Sequence, residues 1–530
     1  MSDRPSSRTS SFLVAAGILL SRVAGFIRER MIAVYLGNSL YADALGAAMR
    51  VPNLLQNLLG DGVLSASFIP VYAELIHQGK REEAGKVAGA ILALLTAVSG
   101  LLVVIGVAAA PWIATLLVPG FNEEQREVTI KLIRIIFPGT GVLVLSAWAL
   151  AILNCHRQFL LSYAAPVLWN LCIILAFVGY GSSRAPSDLV IIAGWSALVG
   201  GLLQFGVQLP MVLRLERDLK VRWDLQLEGV QEAIKNAGPA IWGRGVVQLS
   251  AYIDLMLASW LTVGSAAAIF RAQTLYMLPI SLFAMSVAAA ELPEMAKDRS
   301  EAVEQIRART QAAVERLAFF VVPSTVAFVL LGRVLVGALF RGGEFGEKET
   351  AQVQLILIGY SVGLIATTTS RVYASAFNAL RNTRTPARMA TLRVVCSTIF
   401  GLGFMLALEP IPRLGWTMAP LAALHRSFPI GALGLTLGAG LAAWVEWAFL
   451  KRELQRHLGS VRANPTVAAV IGGSALLAGA VGLAASAVPL DHPIPKAAVV
   501  CGSFGVTYFS VAAALGNDEA RRWFLRLKRR

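Results

Sequence analysis

The stretch FLVAAGILLSRVAGFIRERMIAVYLG, Phe12–Gly37, decides how this chain is read. Its two ends are apolar, yet Arg22, Arg28, Glu29 and Arg30 fall within nine residues near its middle. An ionisable side chain facing lipid costs at least a few kcal/mol, so charge inside a span normally faces a cavity or a partner.

The rest of the chain places this stretch in a membrane. Of 530 residues, 56% are hydrophobic and 15% charged, and mean hydropathy is +0.64. Soluble domains carry about 25% charged residues. Apolar runs of the roughly 20 residues that span hydrocarbon recur from end to end. They predict an all-α polytopic membrane protein of about fourteen transmembrane helices. The spans lie near 12–36, 44–76, 84–117, 128–153, 159–180, 187–213, 237–262, 266–292, 311–338, 352–378, 387–408, 425–450, 465–488 and 494–515. No cleavable leader is evident, and the first span is expected to stay as an anchor.

A net charge of +15 would suit nucleic acid, but the basic residues gather in short segments between spans, so no nucleic-acid partner is expected. With the N-terminus inside, alternate connections hold Lys80, Arg81, Lys86, Arg157, Arg214, Arg217, Lys220 and Arg222. Further along, the same side collects Lys297, Arg299, Arg381, Arg384, Lys451 and Arg452, then the tail RRWFLRLKRR. The opposite connections hold few, among them Arg126, Arg184, Arg341 and Lys496. Lys and Arg in short loops favour the cytoplasm, so both termini are expected there.

AILNCHRQ and SAFNALRN repeat an asparagine and an arginine at one offset, 378 − 154 = 224 and 381 − 157 = 224. Prolines of the second and eighth helices follow at 279 − 52 = 227 and 293 − 70 = 223. The repeat predicts a six-helix lobe over 1–223, a second over 224–455, and two further helices with a basic tail over 456–530.

Charged residues recur on the matching helices. Arg22 and Glu29 lie ~700° apart round a helix, about 20° short of two turns, and share a face; Asp43 and Arg50 have the same spacing. Asp61 follows, then Arg244 and Asp254 in the seventh helix and Arg271 in the eighth. Arg30, Arg333 and Arg393 read instead as interface or ion-pair residues. More arginine than acid around a cavity implies an anionic ligand, and guanidinium forks suit phosphate oxygens. At membrane depth, that ligand is a phosphate-bearing lipid.

There is no GxxxxGK[ST] loop to drive transport with ATP, and Cys155, Cys172, Cys396 and Cys501 show no metal-ligand spacing. The five histidines sit in or near connections and are expected to be solvated. With no soluble catalytic domain, no metal and no cofactor expected, the chain reads as a transporter rather than an enzyme.

SRVAGFIRERMIAVYLG, ADALGAAMRVPNLLQNLLGDGVLSASFIPVYAE, FPGTGVLVLSAWALAILNCHRQFLLSYAAPVLWN, FRGGEF and RNTRTPAR closely resemble the MurJ (MviN) lipid II flippases. The similarity runs along almost the whole chain and weakens after about residue 410. It implies a multidrug/oligosaccharidyl-lipid/polysaccharide exporter fold, with two lobes around a central cavity in a bacterial cytoplasmic membrane. It implies that lipid II, undecaprenyl-pyrophosphate carrying the peptidoglycan precursor, crosses to the periplasmic leaflet, with cell-wall synthesis or division proteins as partners. Arg22 and Arg28 would contact the pyrophosphate; Glu29 stands at the family's usual aspartate, Asp43 at the acid opening the second helix, and Asp61 with Gly62 at its Glu-Gly pair. The last two helices would complete a groove for the polyprenyl tail. The chain departs at Gln56 and Thr274, where many relatives carry arginine, and Arg244 and Arg271 would keep the cavity cationic. Asp254 matches a position linked to cation binding in some relatives and is a candidate coupling site; few matching acids in the eleventh helix argue against sodium, and the energy source is left open between the membrane potential and a cation. The alternatives are a flippase for another polyprenyl-linked glycan of O-antigen type, or an intramembrane lipid-modifying enzyme, which product analysis would separate.

Overall fold

Asn122 starts a 33-residue helix with a capping box: its side chain accepts from the Gln125 backbone at 2.7 Å, and Gln125 Oε1 accepts from the Asn122 N–H at 3.2 Å. Two donors that a helix start leaves orphaned are satisfied together. Glu123 and Glu124 in the first turn complement the helix dipole. The computed structural model describes residues 7–284, 302–380, 382–411, 414–416, 430–460 and 464–528.

Among the described residues the regular elements are helices, with isolated bridges at Gly342–Phe345 and Ile411–Trp416. It divides into two compact units, Met1–Gly264 and Ser265–Arg530. The first holds α1 (Ser7–Leu36), α2 (Leu40–Leu59), α3 (Asp61–His77), α4 (Arg81–Ala108), α5 (Ala110–Leu117), α6 (Glu123–Cys155), α7 (Phe159–Tyr180), α8 (Pro186–Leu215) and α9 (Glu228–Ser259). The second begins with α10 (Ser265–Pro279), which runs into a π turn, Ile280–Ala284. It continues with α11 (Ala302–Leu330), α12 (Gly332–Phe340), α13 (Glu347–Val362), α14 (Leu364–Ala379) and α15 (Arg384–Leu408). It closes with α16 (Gly431–Leu458), α17 (Pro465–Ser486), α18 (Pro493–Ala514) and α19 (Asp518–Lys528).

Among the described residues, ten helices or helix pairs are long and apolar enough to cross a membrane; α13 and α14, bent by 41° at Gly363, make up to eleven. That is fewer than fourteen. α10 has 15 residues, and α1 and α9, outside the ten, carry Arg22, Arg28, Glu29, Arg30, Arg244 and Asp254. Leu101, Val104, Leu175, Val199 and Val506 are exposed along the spanning helices, as lipid rather than water would allow.

In the first unit α6 packs on α2, α4 and α8, and α1 on α7. Trp148 of α6 is fully buried and donates Nε1–H to the Ala88 carbonyl at 3.1 Å. One sequence expectation fails here: His156 is not solvated. Its Nε2 lies 2.9 Å from Tyr72 Oη and 3.3 Å from Glu216 Oε1, and Tyr72 donates to the same buried carboxylate. The cluster ties the ends of α3, α6 and α8, so a residue next to a connection is still enclosed.

In the second unit α15 and α16 approach through glycine. A Cβ on Gly438 would lie 2.3 Å from Gly401 N, and one on Gly434 2.7 Å from Met405 N. Small residues let helix backbones meet inside a membrane. Gly438→Val should therefore destabilise the protein by about 1–3 kcal/mol through overpacking. An unchanged melting temperature in detergent would show that these helices can separate without loss.

Candidate functional site

Arg28 is the charged residue of α1 that the fold builds into a cavity. Its Nη1 donates to Asn170 Oδ1 at 3.0 Å and its Nη2 to Glu29 Oε1 at 2.6 Å, while Cζ lies 4.9 Å from the Trp169 ring centroid. Asn170 is turned by its own helix, since its Nδ2 donates to the Pro166 carbonyl at 3.1 Å. The guanidinium is thus fixed on two edges and one face, and only 18% of the side chain is exposed. Among the described residues its Nε–H has no acceptor. A planar fork held this way matches a phosphate oxygen without further ordering.

The cavity beside it measures about 280 Å³. Gly25 and Arg28 of α1, Asn53 and Gln56 of α2, Thr140 of α6 and Gln204 of α8 supply much of the wall. An added Cβ at Gly25 would meet nothing within 4 Å, so the space beside this stretch of α1 is open. Deeper in, Gln204 Nε2 donates to Ser146 Oγ at 2.9 Å, and Ser146 Oγ to Gln208 Oε1 at 2.7 Å. Among the described residues the buried Thr140 hydroxyl has no partner. Ligand pockets typically run roughly 300–1,000 Å³, so this one suits a phosphate-sized group and not a whole glycolipid head.

The other expected residues fall elsewhere. Arg22 is exposed on α1, and Glu29 pairs with its neighbour Arg28. Asp43 is 2% exposed, and its Oδ2 accepts from Gly264 N at 2.6 Å and from Gln125 Nε2 at 3.0 Å. Arg50 donates Nη1–H to the Ala251 carbonyl at 3.1 Å while Tyr252 donates to the Arg50 carbonyl at 2.9 Å, joining α2 to α9. Asp254 is half-buried on α9. Asp61 and Arg244 lie in α3 and α9, with side chains outside the described residues. In the second unit Arg271 is 2% exposed, its Cζ 5.4 Å from the Phe345 ring of FRGGEF. Arg393 donates to Glu446 at 3.1 Å, and Arg333 to Glu347 at 2.8 Å, both as ion pairs. Gln56 lines the cavity, and Thr274 bonds back to the Phe270 carbonyl at 2.9 Å.

Sequence reasoning missed Trp169 and Asn170, which aim Arg28, and the amides and hydroxyls of α6 and α8. The available signal was an asparagine and a tryptophan adjoining in the otherwise apolar α7. Among the described residues no group of three or more His, Cys, Asp or Glu could hold a metal.

The family model for the lipid II flippase MurJ matches residues 32–490. The chain is 28% identical over 527 residues to the lipid II flippase MurJ of Burkholderia cenocepacia, covering 96% of this chain and 97% of that one. It is 27% identical over 448 residues to the probable lipid II flippase MurJ of Buchnera aphidicola, covering 84% and 83%. A solved MurJ in an inward closed conformation shares the fold, with a TM-score of 0.77, 21% identity, and coverage of 96% and 99%. A multidrug resistance MATE family transporter in an inward-facing conformation is similar at a TM-score of 0.60, with 18% identity and coverage of 84% and 98%.

Proposed function

This chain belongs to the MurJ family of lipid II flippases, and we propose that it carries lipid II from the cytoplasmic to the periplasmic leaflet by alternating access, with Arg28 as a phosphate ligand. The observation that carries the site is the guanidinium braced by Asn170, Glu29 and Trp169 at the edge of a cavity. A pyrophosphate oxygen takes the Nε–H, and Asn53, Gln56 and Thr140 line the same cavity. Arg22, exposed on the same helix, meets the anion as it enters. Bound anion then favours whichever state contacts it better, since a ligand shifts an equilibrium only through differential affinity.

The family places the chain in the bacterial cytoplasmic membrane, and the excess of Lys and Arg in alternate connections supports both termini inside. A potential positive outside favours outward movement of an anion by about 2.3 kcal/mol per charge per 100 mV. The two-lobe reading is supported by helix ends at the repeat offset, since α6 ends at Cys155 and α14 at Ala379, 379 − 155 = 224. Pro138 sits inside unbroken α6, whereas its counterpart region breaks at Gly363. There a Cβ would lie 2.5 Å from Gly440 Cα. Depleting the protein in its host should cause lysis, with lipid II accumulating in the inner leaflet and chemically unchanged. Unaltered peptidoglycan synthesis under depletion would overturn the proposal.

A further inference from the structure

Four helix ends enclose a second cavity, of about 500 Å³, within the second unit: the end of α11 at Leu330, the start of α13 at Glu347, the end of α17 at Ser486 and the start of α18 at Pro493. Because α11, α17 and α18 are spans, their ends mark a membrane interface. Arg333 donates Nε–H and Nη2–H to Glu347 Oε2 at 3.2 and 2.8 Å, and Arg341 Nη1 pairs with the other oxygen. One carboxylate thus braces two guanidiniums that together present more N–H donors than it can accept. Lys496 and Asp491 line the same space. Three cations against two carboxylates leave 3 − 2 = +1, the complement of one phosphodiester.

Apolar side chains line the same cavity, among them Leu330, Leu331, Val334, Leu483 and Leu490. On α17, which supplies Leu483, Leu476 and Leu477 are 62% and 50% exposed. A free inorganic ion has no use for that surface; an acyl chain does. We propose that this cavity binds the phosphate of a membrane phospholipid, held by Arg341 and Lys496, with its acyl chains laid along α17. The site shares no lining residue with the cavity at Arg28 and does not depend on what that cavity carries.

The test is native mass spectrometry of the full-length protein with phosphatidylglycerol, with diacylglycerol of the same acyl chains, or with phosphatidylglycerol plus inorganic phosphate. Phosphatidylglycerol should be retained and diacylglycerol should not. Arg341→Gln and Lys496→Gln should each cut retention about fivefold, the worth of one cation near a lipid surface. Should Arg341→Gln lower the melting temperature through loss of its Glu347 pair, Lys496→Gln, outside those ion pairs, carries the test. Undiminished retention in Lys496→Gln, or equal retention of diacylglycerol, would overturn the proposal. Displacement of phosphatidylglycerol by inorganic phosphate would assign the site to the free ion and overturn the lipid reading.

Discussion

Arg28→Ala should fail to restore growth of cells depleted of their own lipid II flippase while leaving the purified protein folded. Removing one partner of a desolvated charge pair costs about 2–5 kcal/mol, some thirtyfold to several thousandfold in affinity. Glu29, left behind, is 19% exposed and reaches water, so the melting temperature should fall by only a few degrees. Arg28→Lys should rescue little, because an ammonium cannot keep both the Asn170 and Glu29 bonds and still offer an Nε–H. Asn170→Ala acts through Arg28 and loses one hydrogen bond, for about tenfold weaker transport. Flipping is measured as accessibility of lipid II to an impermeant reagent in spheroplasts. Wild-type flipping by Arg28→Ala would remove Arg28 from the mechanism.

How far the sequence carried this site depends on which interaction makes it. Arg28 stood out because a charge in an apolar helix has few cheap explanations. Asn170 and Trp169 did not, since neutral polar residues in a span are common and their role lies across 142 residues of sequence. Helical periodicity put Arg22 on one face with Glu29 but did not anticipate the pairing of Glu29 with adjacent Arg28, whose side chains are long enough to curl past their backbone positions. Apolar runs located the helices, yet could not say where a backbone would break. The break between α2 and α3 falls at Gly60, and that between α13 and α14 at Gly363, where tertiary contacts decide. His156 was misplaced for the same reason: nearness to a connection says nothing of what packs over it.

Asp43 separates a holding role from a binding one, because the two predict opposite patterns of loss. Its carboxylate, 2% exposed, accepts from Gly264 N and from Gln125 Nε2. Gly264 has φ +90°, and a Cβ there would lie 2.1 Å from Asn38 O, so the turn is close-packed and open only to glycine. Gln125 also closes the capping box that starts α6. Asp43→Ala would strip the acceptor from two buried donors at once, at about 1–3 kcal/mol each. The melting temperature should therefore drop sharply, and flipping should fall only as far as the amount of folded protein falls. Asp43→Asn keeps an acceptor oxygen and should lose about 1 kcal/mol, with flipping per folded molecule near wild type. A pyrophosphate-handling carboxylate would behave the other way, with Asp43→Asn stable and inactive. Thermal melts set beside flipping normalised to folded protein decide between them, and a stable, inactive Asp43→Asn would return Asp43 to the substrate path.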